Sequence, residues 1–171
     1  LGSLMPSVTN MLLNTSLAKR FIGVAVERSI PKLAQTTTVK WYKKHQDQFV
    51  KKQHPKGQVY LFIDEFTNFY DDIIGRDCIE ALSKLGYEVI ITDHKESGRS
   101  FISKGLLDQA RELANYNVDF FKDKINKDAP LVGIEPSALL TFRDEYLRLA
   151  EDKESAKEIS KFAYTIEEFI E

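Results

Sequence analysis

Two short runs hold most of the residues able to do chemistry, Glu96-Ser97-Gly98-Arg99 and Glu135-Pro136-Ser137-Ala138. Each follows an apolar run of strand length and precedes a helical pattern, where α/β proteins place their ligand crevices. Carboxylates, hydroxyls and a guanidinium on such loops can hold polar or charged groups. They cannot supply a thiolate. The one cysteine, Cys78, lies elsewhere, on what reads as the inner face of a helix, and is expected to be a small buried hydrophobe. Gly98 suits a turn with positive φ. Arg99 has two readings that the residues leave open: a structural ion pair with Glu135 or Glu96, or an anion cradle with Lys104 and the free N–H groups at the start of a helix near residue 103. Glu65, Glu96 and Glu135 offer a carboxylate cluster for a divalent cation or acid–base work. His45, His54 and His94 are too scattered to complete a ligand set, so a metal site is not expected. The chain has no Gly-rich phosphate loop, nucleophile elbow or dinucleotide glycine fingerprint.

These residues are positioned by alternating strand and helix signals. Val59-Tyr60-Leu61-Phe62-Ile63, Val89-Ile90-Ile91-Thr92 and Leu131-Val132-Gly133-Ile134 are continuous apolar runs, as expected of parallel strands covered on both faces, and Phe162-Ala163-Tyr164 is a candidate fourth. Between them, Ile74, Cys78, Ala81 and Leu85 form one helical stripe, stopped by Gly86. A long helix is expected from about Ser103 to Ile125, with Leu106, Ala110, Leu113, Ala114, Val118, Phe121 and Ile125 inward. Pro136 opens another helix at the favoured first position. This order implies an α/β fold with a three- or four-stranded parallel sheet and helices on both faces. The loops 64–68, 95–100 and 135–137 are then expected to converge beyond the carboxyl ends of the strands.

Residues 7–26 carry an apolar helical stripe through Met11, Leu12, Leu17, Ala18, Phe21, Ile22 and Ala25, read as an N-terminal helical arm. Residues 40–56 hold six lysines and two histidines against one acidic residue, Asp47, with Trp41, Tyr42, Phe49 and Val50 interleaved. The spacing favours an amphipathic helix whose basic face meets an acidic neighbouring domain over a nucleic-acid patch. The division expected is an arm and basic helix over 1–56 and an α/β domain over 57–171. At 171 residues the chain can bury about 70% of its unfolded surface, so no disulfide or metal is needed to hold it. A net charge of -2 argues against general nucleic-acid affinity. The sequence has neither an apolar stretch of membrane-spanning length nor a signal-peptide pattern, and a lone cysteine suits a reducing compartment, so a cytoplasmic location is expected. Leu1 opens the chain, and the capping-box pattern Thr165-Ile166-Glu167-Glu168 announces a helix at its end. The expectation is a piece of a longer protein.

In order and spacing, Leu61-Phe62-Ile63-Asp64-Glu65-Phe66, Glu96-Ser97-Gly98-Arg99, Ser103-Lys104-Gly105-Leu106-Leu107, Glu135-Pro136-Ser137-Ala138 and Phe142-Arg143-Asp144-Glu145-Tyr146 form one set. The set resembles the cysteine-rich domain of FAD-linked oxidoreductases of the D-lactate dehydrogenase and glycolate oxidase type, whose iron–sulfur portion is related to heterodisulfide reductase subunits. The resemblance runs from about Arg28-Ser29-Ile30-Pro31 to Thr165-Ile166-Glu167-Glu168-Phe169. The family pattern is Cys-Cys-Gly-Arg after the second strand and Glu-Pro-Ser-Cys after the third. Here Glu96, Ser97 and Ala138 stand at the cysteine positions, while Gly98, Arg99, Glu135, Pro136 and Ser137 match. Iron–sulfur clusters need thiolates. The resemblance therefore implies FAD and iron–sulfur centres for a parent protein that oxidises a 2-hydroxy acid, with no cofactor expected in this piece. It implies the flavin and ferredoxin-like domains of the same protein as partners, with no nucleic acid and no membrane span. The expected role is structural, in docking between domains. The alternative is a small-molecule or anion binding module, with Glu96, Ser97, Gly98, Arg99, Lys104, Glu135 and Ser137 as candidate ligand residues.

Overall fold

The computed structural model describes residues 5–50 and 55–171. Two short helices, α1 (Pro6–Leu13) and α2 (Ser16–Phe21), make up the arm. The expected stripe over 7–26 is broken at Thr15, whose hydroxyl accepts from the Ala18 N–H and starts α2 as a separate helix. Next come α3 (Thr38–His45) and a 3₁₀ turn, Gln46–Gln48. Residues 51–54 of the basic stretch, including His54, lie outside the described residues. The described lysines of this stretch, Lys40, Lys43, Lys44 and Lys56, are exposed, while Tyr42 and Phe49 are buried.

The remainder alternates: β1 (Gln58–Phe62), α4 (Glu65–Phe69), α5 (Asp72–Lys84), β2 (Glu88–Ile90), α6 (Arg99–Ser103), α7 (Leu107–Phe121), β3 (Leu131–Gly133), α8 (Pro136–Leu140), α9 (Glu145–Leu149), α10 (Lys153–Lys161), β4 (Ala163–Thr165) and α11 (Ile166–Ile170). The four strands pair in the order β2-β1-β3-β4, all parallel, with Val59 opposite Val89, Leu61 opposite Val132 and Val132 opposite Tyr164. The chain moves one way from β1 to β2 and the other way to β3 and β4. The reversal opens a crevice at the carboxyl ends of β1 and β3.

Strand alternation feeds two cores. Val59, Leu61, Ile63 and Val132 face α5 and the Tyr42–Phe49 segment. On the other face Phe62 and Leu131 pack with residues of α7 through α10, among them Phe121, Phe142 and Ile159. Helices on both faces explain why the strand sequences read as unbroken apolar runs. The β2 edge is partly closed by backbone: Val89 N–H donates to the Phe49 carbonyl at 3.0 Å, and the Tyr42 hydroxyl donates to the Val89 carbonyl at 2.7 Å. Among the described residues, no helix is long and apolar enough to cross a membrane.

Three sequence expectations are corrected. The inward stripe of α5 is Gly75, Ile79 and Leu82; Ile74, Ala81 and Leu85 are exposed and Cys78 is half-buried. Gly75 decides this, because a Cβ there would lie 2.7 Å from both Thr38 Cγ2 and Thr38 Oγ1 and 2.9 Å from Thr67 Cγ2, so its bare backbone lets α5 press onto α3 and α4. The helix expected from 103 to 125 is the shorter α7, which begins at Leu107 and ends at Phe121. A turn at Lys104-Gly105 separates α6 from α7, leaving Leu106 exposed. The second strand is centred on Val89 and ends at Ile90, short of Thr92.

The C-terminal helix is fastened at its first turn. Thr165 ends β4 and caps α11 in the expected capping box: the Glu168 carboxylate accepts from the Thr165 N–H at 3.0 Å, and the Glu168 N–H donates to the Thr165 hydroxyl. The two Glu168 oxygens also accept from Arg143, at 2.6 and 2.8 Å.

Candidate functional site

β1 delivers Asp64 and Glu65 to the crevice with different duties. Asp64 is buried and caps α4, accepting from the Phe66 and Thr67 N–H groups at 2.8 and 3.0 Å and from the Thr67 hydroxyl at 2.5 Å. Glu65 follows in the first turn, and its Oε2 is enclosed without a hydrogen-bond partner among the described residues. Burial raises its pKa above the usual carboxylate range, and the charges of Glu96, Asp64 and Glu135 push the same way. Glu65 and Glu96 line the same cleft, so the 64–68 and 95–100 loops meet there.

After β2, His94 binds the loop to β1. Its Nε2 meets the Ile63 carbonyl at 3.1 Å and its Nδ1 meets the Thr92 hydroxyl at 3.1 Å, while the ring stacks on Phe62. A carbonyl only accepts, so Nε2 carries the proton and Nδ1 accepts from Thr92. Burial lowers the His94 pKa and favours this neutral ring.

Residues 95–97 are gripped through their backbone from the opposite side. Asn117 of α7, fully buried, accepts from the Lys95 N–H at 3.1 Å and directs its amide nitrogen at the Glu96 carbonyl and the Tyr146 hydroxyl, each at 2.9 Å. The Tyr146 hydroxyl donates in turn to the Ser97 carbonyl at 2.9 Å. Sequence reasoning missed Asn117 and gave Tyr146, a member of the Phe142–Tyr146 motif, no role of its own. The available signal was polarity out of place, since Asn117 falls on the inward stripe of α7 beside Val118.

The sequence-nominated residues separate into groups. Glu96 is exposed and lines a cleft of about 620 Å³ with Asp64, Glu65, Asp93, His94 and Lys95, against apolar walls that include Phe101 and Leu113. Ser97 is fully buried, its hydroxyl accepting from the Arg99 N–H at 3.2 Å. Gly98, at φ 77°, begins α6 in close contact with α7, where a Cβ would sit 3.4 Å from Leu113 Cδ1 and 3.5 Å from the Ala110 Cα. Arg99 pairs with Glu145 at 2.5 Å rather than with Glu135 or Glu96, because α9 presents its first residue to that loop. Lys104 is exposed at the far end of α6, not at the start of a long helix, so the expected partnership with helix N–H groups is not formed. Glu135 caps α8, accepting from the Ala138 N–H at 2.7 Å and the Ser137 hydroxyl at 2.6 Å. Ser137 is exposed and Ala138 is buried. Lys43 pairs with Asp93 at 2.6 Å, and the Lys95 ammonium lies 4.1 Å from the centre of the Tyr116 ring.

Glu96, Ser97 and Ala138, which the resemblance sets at cysteine positions, do not fit an iron–sulfur centre. Ser97 is committed to its own backbone turn, Ala138 contributes a methyl group to the core, and Glu96 offers only a carboxylate. Among the described residues no three His, Cys, Asp or Glu side chains converge as metal ligands. Cys78 lines a separate groove, and its thiol pKa is pushed up to about 12, chiefly by burial and then by Glu167. It is a poor thiolate at neutral pH.

Over 95 residues the chain is 33% identical to the D-2-hydroxyglutarate dehydrogenase of Haemophilus influenzae, covering 54% of this chain and 9% of that protein. It is 28% identical over 153 residues to the protein of the same name from Pantoea ananatis, covering 82% of this chain and 15% of that protein. The Escherichia coli protein of that name is 31% identical over 91 residues, covering 53% of this chain and 9% of that protein. The chain thus spans between 9% and 15% of the length of these relatives. No family model matches it, and no solved structure does.

Proposed function

We propose that this chain is a domain of a FAD-linked 2-hydroxy-acid dehydrogenase-like oxidoreductase, present in the cytoplasm, in which it acts as a structural and interdomain docking unit instead of an electron carrier. Partial similarity to D-2-hydroxyglutarate dehydrogenases supports the parent class, and the small share of each relative that is matched leaves room there for flavin and ferredoxin-like domains as partners. The observation that supports the structural role is that Ser97 and Ala138, which the resemblance aligns with cluster cysteines, sit in a turn and in the core and supply no thiolate.

The deciding experiment is anaerobic reconstitution of the purified chain with iron and sulfide, followed by iron and labile-sulfide analysis and by binding to the separately expressed flavin-bearing portion of the parent. The expected result is no stoichiometric iron and measurable binding. Stoichiometric iron with labile sulfide would overturn the reading.

One observation favours a second role, binding of a small molecule in the crevice. The cleft is open, mixed in polarity, and adjoins the unpartnered Glu65 Oε2. The anion form of this reading, built on Arg99, Lys104 and Glu135, has weaker support. Arg99 is already paired, and the cleft lining holds Asp64, Glu65, Asp93 and Glu96 against Lys95.

A further inference from the structure

Two open apolar features of this chain match one another. The first is the arm, where Leu17 and Phe21, four residues apart on one face of α2, are 81% and 92% exposed, with Met11 and Leu12 of α1 exposed beside them in sequence. The second is a groove of about 380 Å³ on the α5 and α11 side of the molecule, lined by Ile74, Cys78, Leu85, Ile166 and Ile170 and bordered by Asp77 and Glu167. Contiguous open apolar surface of this kind marks an interaction site. The charges are complementary. The lining of the groove has two carboxylates and no cation, and neither Asp77 nor Glu167 has an ion pair among the described residues. On α2, Lys19 is buried with its Nζ donating to the Val26 carbonyl at 3.0 Å, so Arg20, exposed next to Phe21, is the available cation.

We propose that the α1–α2 arm of one copy seats in the α5/α11 groove of a second copy, with Leu17 and Phe21 entering the apolar floor and Arg20 meeting Asp77 and Glu167. Within one copy the arm is tied to its own body by Asn10, which donates to the Leu33 carbonyl at 2.9 Å and accepts from the Leu33 N–H at 2.8 Å, while the groove stays open. A second copy supplies both missing halves. Reciprocal seating gives two equivalent contacts, which close as a twofold dimer instead of growing into a filament.

The test is the mass of the purified 171-residue chain across a concentration series, by light scattering and sedimentation. Phe21→Asp and Ile74→Asp alter exposed residues and are expected to keep the parent circular dichroism spectrum while remaining monomeric where the parent approaches twice the monomer mass. An equimolar mixture of the two variants restores one of the two seats, so mixed dimer is expected from the mixture and not from either variant alone. Alkylation of Cys78 by a maleimide is expected to slow as the parent is concentrated and to be independent of concentration in Phe21→Asp. A parent that stays monomeric at all concentrations overturns the proposal. So does a dimer that survives Phe21→Asp, which would mean groove-to-groove pairing.

Discussion

Removing the Tyr146 hydroxyl isolates the network that holds the 95–97 loop. In Tyr146→Phe the ring keeps its place beside Phe142, 4.5 Å between centres, and the hydroxyl takes with it one donated and one accepted hydrogen bond, each 2.9 Å long. The Asn117 amide keeps the Glu96 and Lys95 carbonyls as acceptors, so the principal loss is the donor to the Ser97 carbonyl. Stranding one buried acceptor costs roughly 1–3 kcal/mol, and Ser97 is fully buried, which places the expected loss near the middle of that range, about 2 kcal/mol. With a urea slope of about 2 kcal/mol per M, the unfolding midpoint falls by about 1 M. Burial raises the Tyr146 pKa above its ordinary value near 10, so the hydroxyl stays protonated and the loss is the same from about pH 6 to pH 9. Urea titration followed by circular dichroism measures the shift. Combining the change with Asn117→Ala should show a coupling energy of about 0.5 kcal/mol or more, because the two side chains share a bond. A midpoint within about 0.2 M of the parent, or full additivity with Asn117→Ala, refutes the claim that this network fixes the loop.

Glu65→Gln should stabilise the protein at neutral pH. The folded pKa of Glu65 lies above its unfolded value, so the native state binds the extra proton between them and stability falls as pH rises through that window; thermal melts should show the gain of the variant shrinking toward pH 4. His94 works in the opposite sense. Its folded pKa is depressed, so stability falls as pH drops below the unfolded value near 6.5, and His94→Gln should flatten that limb of the stability profile measured by chemical denaturation. Gly75→Ala sets a gain of about 1 kcal/mol in helix propensity against overpacking at 2.7 Å onto fully buried Thr38, which costs roughly 1–3 kcal/mol. Net destabilisation is expected in a urea titration, and a more stable variant would show that α5 can move off α3 freely.

The sheet was legible because each strand is covered on both faces and therefore reads as an unbroken apolar run; Phe162-Ala163-Tyr164 overlaps the observed β4, Ala163–Thr165. Helix orientation was less so. α5 has one broad apolar face about half its circumference wide, and both the Ile74/Cys78/Ala81/Leu85 stripe and the Gly75/Ile79/Leu82 stripe lie on it at helical spacing. What selects between them is an approach distance at a residue with no side chain, and hydrophobic periodicity gives glycine no weight. Strand ends point to the loops 64–68, 95–100 and 135–137, yet the groups that hold residues 95–97, Asn117 and Tyr146, come from helices and act on backbone atoms. Such contacts leave no spacing rule in the chain. Arg99 is the mixed case: its ion-pairing role was visible, while its partner Glu145 stands 46 residues away and depended on how α9 is laid against the loop.

The carboxylate of Glu168 serves three elements at once: it closes the first turn of α11, binds the N–H of the last β4 residue, and receives Arg143 from the segment between α8 and α9. Both its backbone partner and Arg143 hold its pKa below the usual carboxylate range, the guanidinium most strongly. A clasp of this kind opposes unwinding of the first turn of α11. The first turn of α11, the last residue of β4 and the loop after α8 share this one carboxylate, so they are expected to loosen together.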